Sequence, residues 1–136
     1  MDAFDHVGLE VLSRAECEEL LARTPVGRVA FVSDGDVEIF PVNYRWHRGQ
    51  VVFQTAAGKK LDAAARHVPV TFEIDGWDDQ TQTGWSVIVV GRASPVEDDD
   101  EIAELATLGL RPWAPSVRRR RWVRIQPYDI SGRKIA

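Results

Sequence analysis

The chain has 136 residues, of which 44% are hydrophobic and 28% charged, and it carries a net charge of −4. That is enough apolar sequence for one folded domain, which excludes a disordered chain, and the acidic balance argues against a general nucleic-acid binder. A single cysteine, Cys17, rules out an intrachain disulfide and a cysteine metal cluster.

The start, Met1-Asp2-Ala3-Phe4-Asp5, lacks the basic-then-apolar order of a signal peptide. No run approaches the ~20 apolar residues of a membrane span. A cytoplasmic protein without membrane contact is expected. The first helix should begin at Ser13, where Ser13 and Glu16 form a capping box and Leu12 and Cys17 occupy the positions of a hydrophobic staple. Cys17, Leu20 and Leu21 make its apolar stripe, so Cys17 reads as core. Pro25 and Gly27 close the segment.

Strands follow. Arg28 to Ser33 is β-rich, Asp34-Gly35 is a hairpin turn, and Val37 to Trp46 reads as one long strand. Pro41 inside it requires an edge or a bulge. Arg48-Gly49 is a second tight turn, after which Val51, Phe53 and Thr55 alternate on one face. Gly58 to His67 is a short alanine-rich helix. Val70, Phe72 and Ile74 alternate again, Gly76 to Thr83 reads as a polar loop, and Trp85 to Val96 is a long strand with Gly91 at a bulge. The acidic run Glu97 to Glu101 opens a helix with a stripe of Ile102, Leu105 and Ala106 and a cap at Gly109. Pro112 to Pro115 is a rigid turn around Trp113, and Trp122 to Gln126 is the last strand. About six strands with few, short helices suit an antiparallel barrel and match poorly to alternating βαβ units.

The chain offers little chemistry of its own. His6, His47 and His67 are scattered without metal-ligand spacing. Nucleophile elbows, Walker loops and dinucleotide fingerprints are all missing from it. An enzyme of this composition relies on a bound cofactor, and no catalytic residue is assigned. One segment does suit an anion. The strand ending Gln54-Thr55 leads into Gly58-Lys59-Lys60-Leu61, a strand–Gly–Lys–helix order that fits a phosphate. The same lysines also suit a solvated helix face.

The order of these motifs resembles the pyridoxamine 5′-phosphate oxidase-like flavoproteins, in particular the short actinobacterial-type members. The residues that carry the likeness are Val26-Gly27-Arg28-Val29-Ala30, Pro41-Val42-Asn43-Tyr44, and Val52-Phe53-Gln54-Thr55 with Gly58-Lys59-Lys60-Leu61. Phe72-Glu73-Ile74-Asp75, Gly84-Trp85-Ser86-Val87, Gly91-Arg92-Ala93 and the ending from Pro127 through Ile130-Ser131-Gly132-Arg133 continue it. The likeness spans roughly Leu12 to Ile135, so the chain reads as a single flavin-binding domain over 1–136.

That resemblance implies a split β-barrel of Greek-key antiparallel strands and a homodimer with a flavin at its interface. It implies FMN as cofactor, with Asn43 and Tyr44 beside the ring, Val42 among the cofactor-binding residues, and Gln54 and Thr55 near the ribityl chain and phosphate. Lys60 would pair with the phosphate, or Lys59 if the register slips by one. Trp85 and Ser86 would approach from the neighbouring strand, and Trp113 would cross from the partner subunit. A second reading makes Tyr44, Trp85 and Trp113 core aromatics of barrel or dimer. The implied activity is hydride transfer between a small organic substrate and the flavin; a deazaflavin oxidoreductase and a non-catalytic flavin carrier are the alternatives. Two departures stand out. True pyridoxamine phosphate oxidases are longer and have extra basic residues that hold the substrate phosphate, where this chain offers a cluster of a different kind, Arg118-Arg119-Arg120-Arg121; and Lys59 stands where serine or threonine is usual, so the namesake reaction itself is not expected.

Overall fold

The computed structural model describes residues 8–56, 58–111 and 120–135. The strands are β1 (Glu10–Val11), β2 (Val26–Ser33), β3 (Asp36–Asn43), β4 (Arg45–His47), β5 (Gln50–Ala56), β6 (Pro69–Asp78), β7 (Thr83–Pro95) and β8 (Arg120–Lys134). The helices are α1 (Arg14–Arg23), α2 (Lys59–Ala65) and α3 (Asp99–Ala106). Trp113, Arg118 and Arg119, and the turn expected over Pro112 to Pro115, lie outside the described residues. Among the described residues, no helix is long and apolar enough to cross a membrane.

The local signals act where the sequence places them. Ser13 caps α1: its side chain accepts from the Glu16 amide, and the Glu16 side chain accepts from the Ser13 amide. Asp34 and Gly35 both take positive φ, as do Arg48 and Gly49, so two tight turns join β2 to β3 and β4 to β5. Leu12, Cys17, Leu20 and Leu21 are all buried.

The sheet is antiparallel and runs β3-β2-β6-β7-β8-β5-β4, with β1 added alongside the end of β8. Its two outermost strands, β3 and β4, are separated in sequence by Tyr44 alone. Seven strands laid flat would hold those edges about 30 Å apart. A single residue cannot span that distance, so the sheet must curl until its edges approach. The result is a curled half-barrel, the split barrel expected from the sequence.

The curl explains the departures from the sequence reading. The strand expected over Val37 to Trp46 is two strands, because β3 pairs with β2 and β4 pairs with β5. Pro41 lies on β3, an edge strand of this path, where a missing N–H is tolerated. The loop expected over Gly76 to Thr83 is shorter, since Gly76 to Asp78 still pair with β7. Strand β8 runs far beyond Gln126, because β7 supplies a partner ladder as far as Lys134. Pro127 and Tyr128 sit where the register between β7 and β8 shifts at Val90/Gly91. The bulge admits the proline and leaves Tyr128 exposed.

Inside the curl, Phe53, Phe72, Ile74, Val87, Val89, Val123 and Ile125 form the main core. Helix α2 contributes Ala63 and Ala64 to it. A second cluster of Val52, Val96, Leu105 and Trp122 seats α3 on the opposite face of β5 and β8, so β5 is covered on both sides. Ala106 is exposed rather than part of the α3 stripe, and Ile102 and Leu108 pack there with Leu105 instead.

Candidate functional site

The lysine end of the barrel is built by β3, β5 and α2. Alternation on β3 sends Glu38, Phe40 and Val42 to one face and Val37, Ile39 and Pro41 to the other. Lys59 meets Glu38 in a close ion pair. That carboxylate holds the Lys59 ammonium above its usual range. Lys60 differs. It is half-buried, its Nζ lies 4.9 Å from the centre of the Phe40 ring, and it has no carboxylate in ion-pair distance among the described residues. Burial pushes its pKa down, because taking an ammonium out of water disfavours the charged form.

Gln54 and Thr55 close β5 just before this helix. Gln54 is half-exposed; Thr55 is buried, with its hydroxyl donating to the Ala56 carbonyl at 3.3 Å. The start of β8 joins the same end, with Arg121 paired to Thr55 and Arg120 to Ala56. Two of the four arginines of the basic run therefore stand opposite the end of β5 that precedes α2. Sequence reading left Glu38 and Phe40 out, although the alternation on β3 was the available signal.

Val42 and Tyr44 are core positions in the single chain. Tyr44 has no exposed surface; its hydroxyl donates to the Leu21 carbonyl at 2.7 Å, and its ring meets Phe72 edge-on at 4.7 Å. Burial raises its phenol pKa strongly. These side chains offer a ligand no surface, which matches the core reading of Tyr44. Asn43, between them, is half-exposed, and its side-chain amide donates to the Arg111 carbonyl.

Trp85 and Ser86 lie elsewhere. They pair with Lys134 and Arg133, at the opposite end of the β7–β8 ladder from Pro95, which pairs with Val123. Ten residues of strand separate Trp85 from Pro95, about 33 Å along the chain. The Trp85 indole lies on Gly76, where a Cβ would stand 2.6 Å from Nε1, and the Trp77 ring lies on Gly84 in the same way. Two clefts flank this hairpin. One, of about 520 Å³, runs between it and α1; the other, of about 380 Å³, is lined by Glu73, Asp75, Trp77, Trp85, Ser86 and Arg133 among others. The chain thus keeps the predicted residues in two separate groups: the lysines with Gln54 and Thr55 at one end, Trp85 and Ser86 at the other.

The two described histidines stand on different elements: His47 on β4 lies 3.7 Å from Glu104, while His67 follows α2. His6 lies outside the described residues. Among the described residues no group of three or more His, Cys, Asp or Glu side chains is placed to hold a metal ion.

The fold defines a split-barrel protein. The sequence profile of the pyridoxamine 5′-phosphate oxidase family matches residues 13–134, and the chain belongs to that family. An uncharacterized protein of Mycobacterium tuberculosis is 35% identical over 129 residues, covering 91% of this chain and 84% of the relative. The FAD-binding protein of Mycobacterium smegmatis superposes with a TM-score of 0.77 at 39% identity, covering 93% of this chain and 99% of that one. A protein of Corynebacterium glutamicum, provisionally named a pyridoxamine 5′-phosphate oxidase, superposes with a TM-score of 0.79 at 34% identity, covering 93% of both chains.

Proposed function

We propose that this protein binds a flavin nucleotide between two copies of the chain and uses it as an oxidoreductase. The carrying observation is Lys60, a half-buried ammonium over an aromatic ring with no carboxylate partner among the described residues. A buried cation without a counter-ion fits an anionic group, and a flavin phosphate supplies one. Gln54 and Thr55 adjoin it on the same strand end. A bound flavin supplies hydride chemistry; the chain supplies the charge, the hydrogen bonds and the walls that orient it.

FMN is the cofactor of this reading, with FAD its close competitor, given the named ligand of the M. smegmatis relative. The deazaflavin reading loses support, because the extra charge of Lys59 is already matched by Glu38.

A second copy of the chain is the partner of this reading. The Trp85–Ser86 half stands too far along the ladder to reach the Lys60 half of its own chain, and a partner brings it there. Val32, Val37 and Ile39 form an outward apolar patch on the β2–β3 hairpin, each more than 60% exposed, and give the copies a surface to bury. The test is a flavin titration followed by protein fluorescence, with sedimentation of the same samples. A dimer that takes up FMN or FAD supports the reading; a protein that binds neither overturns it. Reduction of the bound flavin by a nicotinamide cofactor, with reoxidation by an added substrate, separates an enzyme from a carrier.

A further inference from the structure

Strand β3 presents Glu38 and Phe40 on one face, and each of them holds one of the two lysines that open α2. Same-face neighbours stand about 7 Å apart along a strand, so the two ammonium groups are docked side by side over β3. Their partners differ in kind. Lys59 forms a close ion pair with Glu38, whose side chain is 22% exposed against 55% for the lysine. The carboxylate is the more buried partner; it has less water to replace a lost cation, and so it keeps Lys59 in place.

Lys60 lies 4.9 Å from the centre of the Phe40 ring, and that ring is fixed in turn by a stack on the buried Phe31, with 6.1 Å between centres. A ring face attracts a cation without cancelling its charge. The other acids at this end are Asp34 in the β2–β3 turn, Asp36 at the start of β3 and Asp62 in the first turn of α2. Asp34 adds to the attraction on Lys59. Among the described residues none of these acids stands in ion-pair distance of Lys60. Of the two lysines, Lys60 is the one whose charge is open to a ligand.

We propose that Glu38 is a specificity-determining residue: by holding Lys59 it leaves one lysine of the pair for an anion, which suits a single phosphate and disfavours a diphosphate. Without the Glu38 carboxylate, Lys59 is released over the same strand face and supplies a second cation for a second phosphate. That the anion is the phosphate of a flavin rests on the function proposed above, and there Glu38 sets FMN against FAD. The hold of Glu38 on Lys59 does not depend on that reading.

Inorganic phosphate and pyrophosphate are the probes, titrated into the ligand-free protein at neutral pH and followed by the amide shifts of Thr55 and Lys60. Glu38→Gln should bind pyrophosphate about tenfold tighter than the natural protein, the worth of one added charge-assisted contact, and should gain less for phosphate. The double variant Glu38→Gln/Lys59→Ala should return to the natural affinity. Asp129 is an exposed acid far along β8 from Arg120. Asp129→Asn makes the same change in net charge as Glu38→Gln and should leave both affinities as they are. A pyrophosphate affinity unchanged in Glu38→Gln, a gain kept in the double variant, or an equal gain in Asp129→Asn overturns the proposal. FMN and FAD are titrated into the same proteins, and Glu38→Gln should shift the preference toward FAD. If both flavins bind and the preference does not shift, the inference is overturned for the flavin. Binding of neither flavin by any of the proteins removes the flavin reading, while the pyrophosphate result still decides the role of Glu38.

Discussion

The ammonium of Lys60 stands 4.9 Å from the centre of the Phe40 ring, on a strand that also supplies the carboxylate for Lys59. Neighbouring lysines are thereby given different work. Lys59 is neutralised by Glu38, while Lys60 keeps its charge against an aromatic face, an attraction felt within about 6 Å of a ring centre. Replacing Lys60 by alanine should weaken flavin binding at least about tenfold, roughly 1.4 kcal/mol. Lys59→Ala should weaken it less. Fluorescence titration of both variants reads the difference, and equal affinities in Lys60→Ala and the natural protein would place the phosphate elsewhere.

Tyr44 is expected to matter for stability and not for flavin affinity. Its hydroxyl serves the Leu21 carbonyl at 2.7 Å, tying the corner between β3 and β4 to α1. Tyr44→Phe keeps the edge-on contact with Phe72 and leaves that carbonyl without its donor. The loss should be about 1–2 kcal/mol in urea unfolding. A large loss of flavin affinity with unchanged stability would contradict the core placement.

Gly91 should not tolerate a side chain. A Cβ there would stand 2.3 Å from the carbonyl oxygen of Gln126, a backbone atom that cannot swing aside. Gly91→Ala should cost at least about 2 kcal/mol by forcing the β7–β8 ladder apart beside the bulge. Thermal unfolding measures this, and a neutral substitution would mean the bulge is free to shift.

Glu73 sets a sign for the pH dependence of stability. Its folded pKa, about 7, lies above the ordinary glutamate value of 4.5. Between those values the folded state holds more proton than the unfolded state, so stability falls as pH rises through the window. Above it the loss is complete, and below it the group contributes nothing further. The difference in urea midpoint between Glu73→Gln and the natural protein should grow from about pH 4.5 to about pH 7 in favour of the variant. A difference that stays flat would show that Glu73 ionises normally.

Much of this architecture was legible because its causes are local. The Ser13 box, the two tight turns, the bulge at Gly91 and the edge position of Pro41 each depend on a few neighbouring residues and their backbone preferences. The alternation of Val70, Phe72 and Ile74 marked a core face for the same reason. The site was less legible. Lys60 was visible as a basic residue opening a helix, but its lack of a carboxylate partner among the described residues depends on Glu38 pairing with Lys59, twenty-one positions away. Arg28 bonds both Glu73 and Asp75, a group that was not read from the sequence because the arginine stands forty-five residues before Glu73.

Sequence alone was enough for the helices, most of the strands, the strand-rich class and the family. It placed a hydrophobic period on each strand, and burial of that period follows from the cost of leaving it in water. It was not enough to say which ends meet. Whether Val37 to Trp46 is one strand or two, how far β8 extends, and that Trp85 stands far along the ladder from Thr55 were settled when the sheet curled and its edges came together at Tyr44. Those outcomes depend on pairings between distant segments, where each strand's partner, rather than its own composition, determines its length and the face it presents.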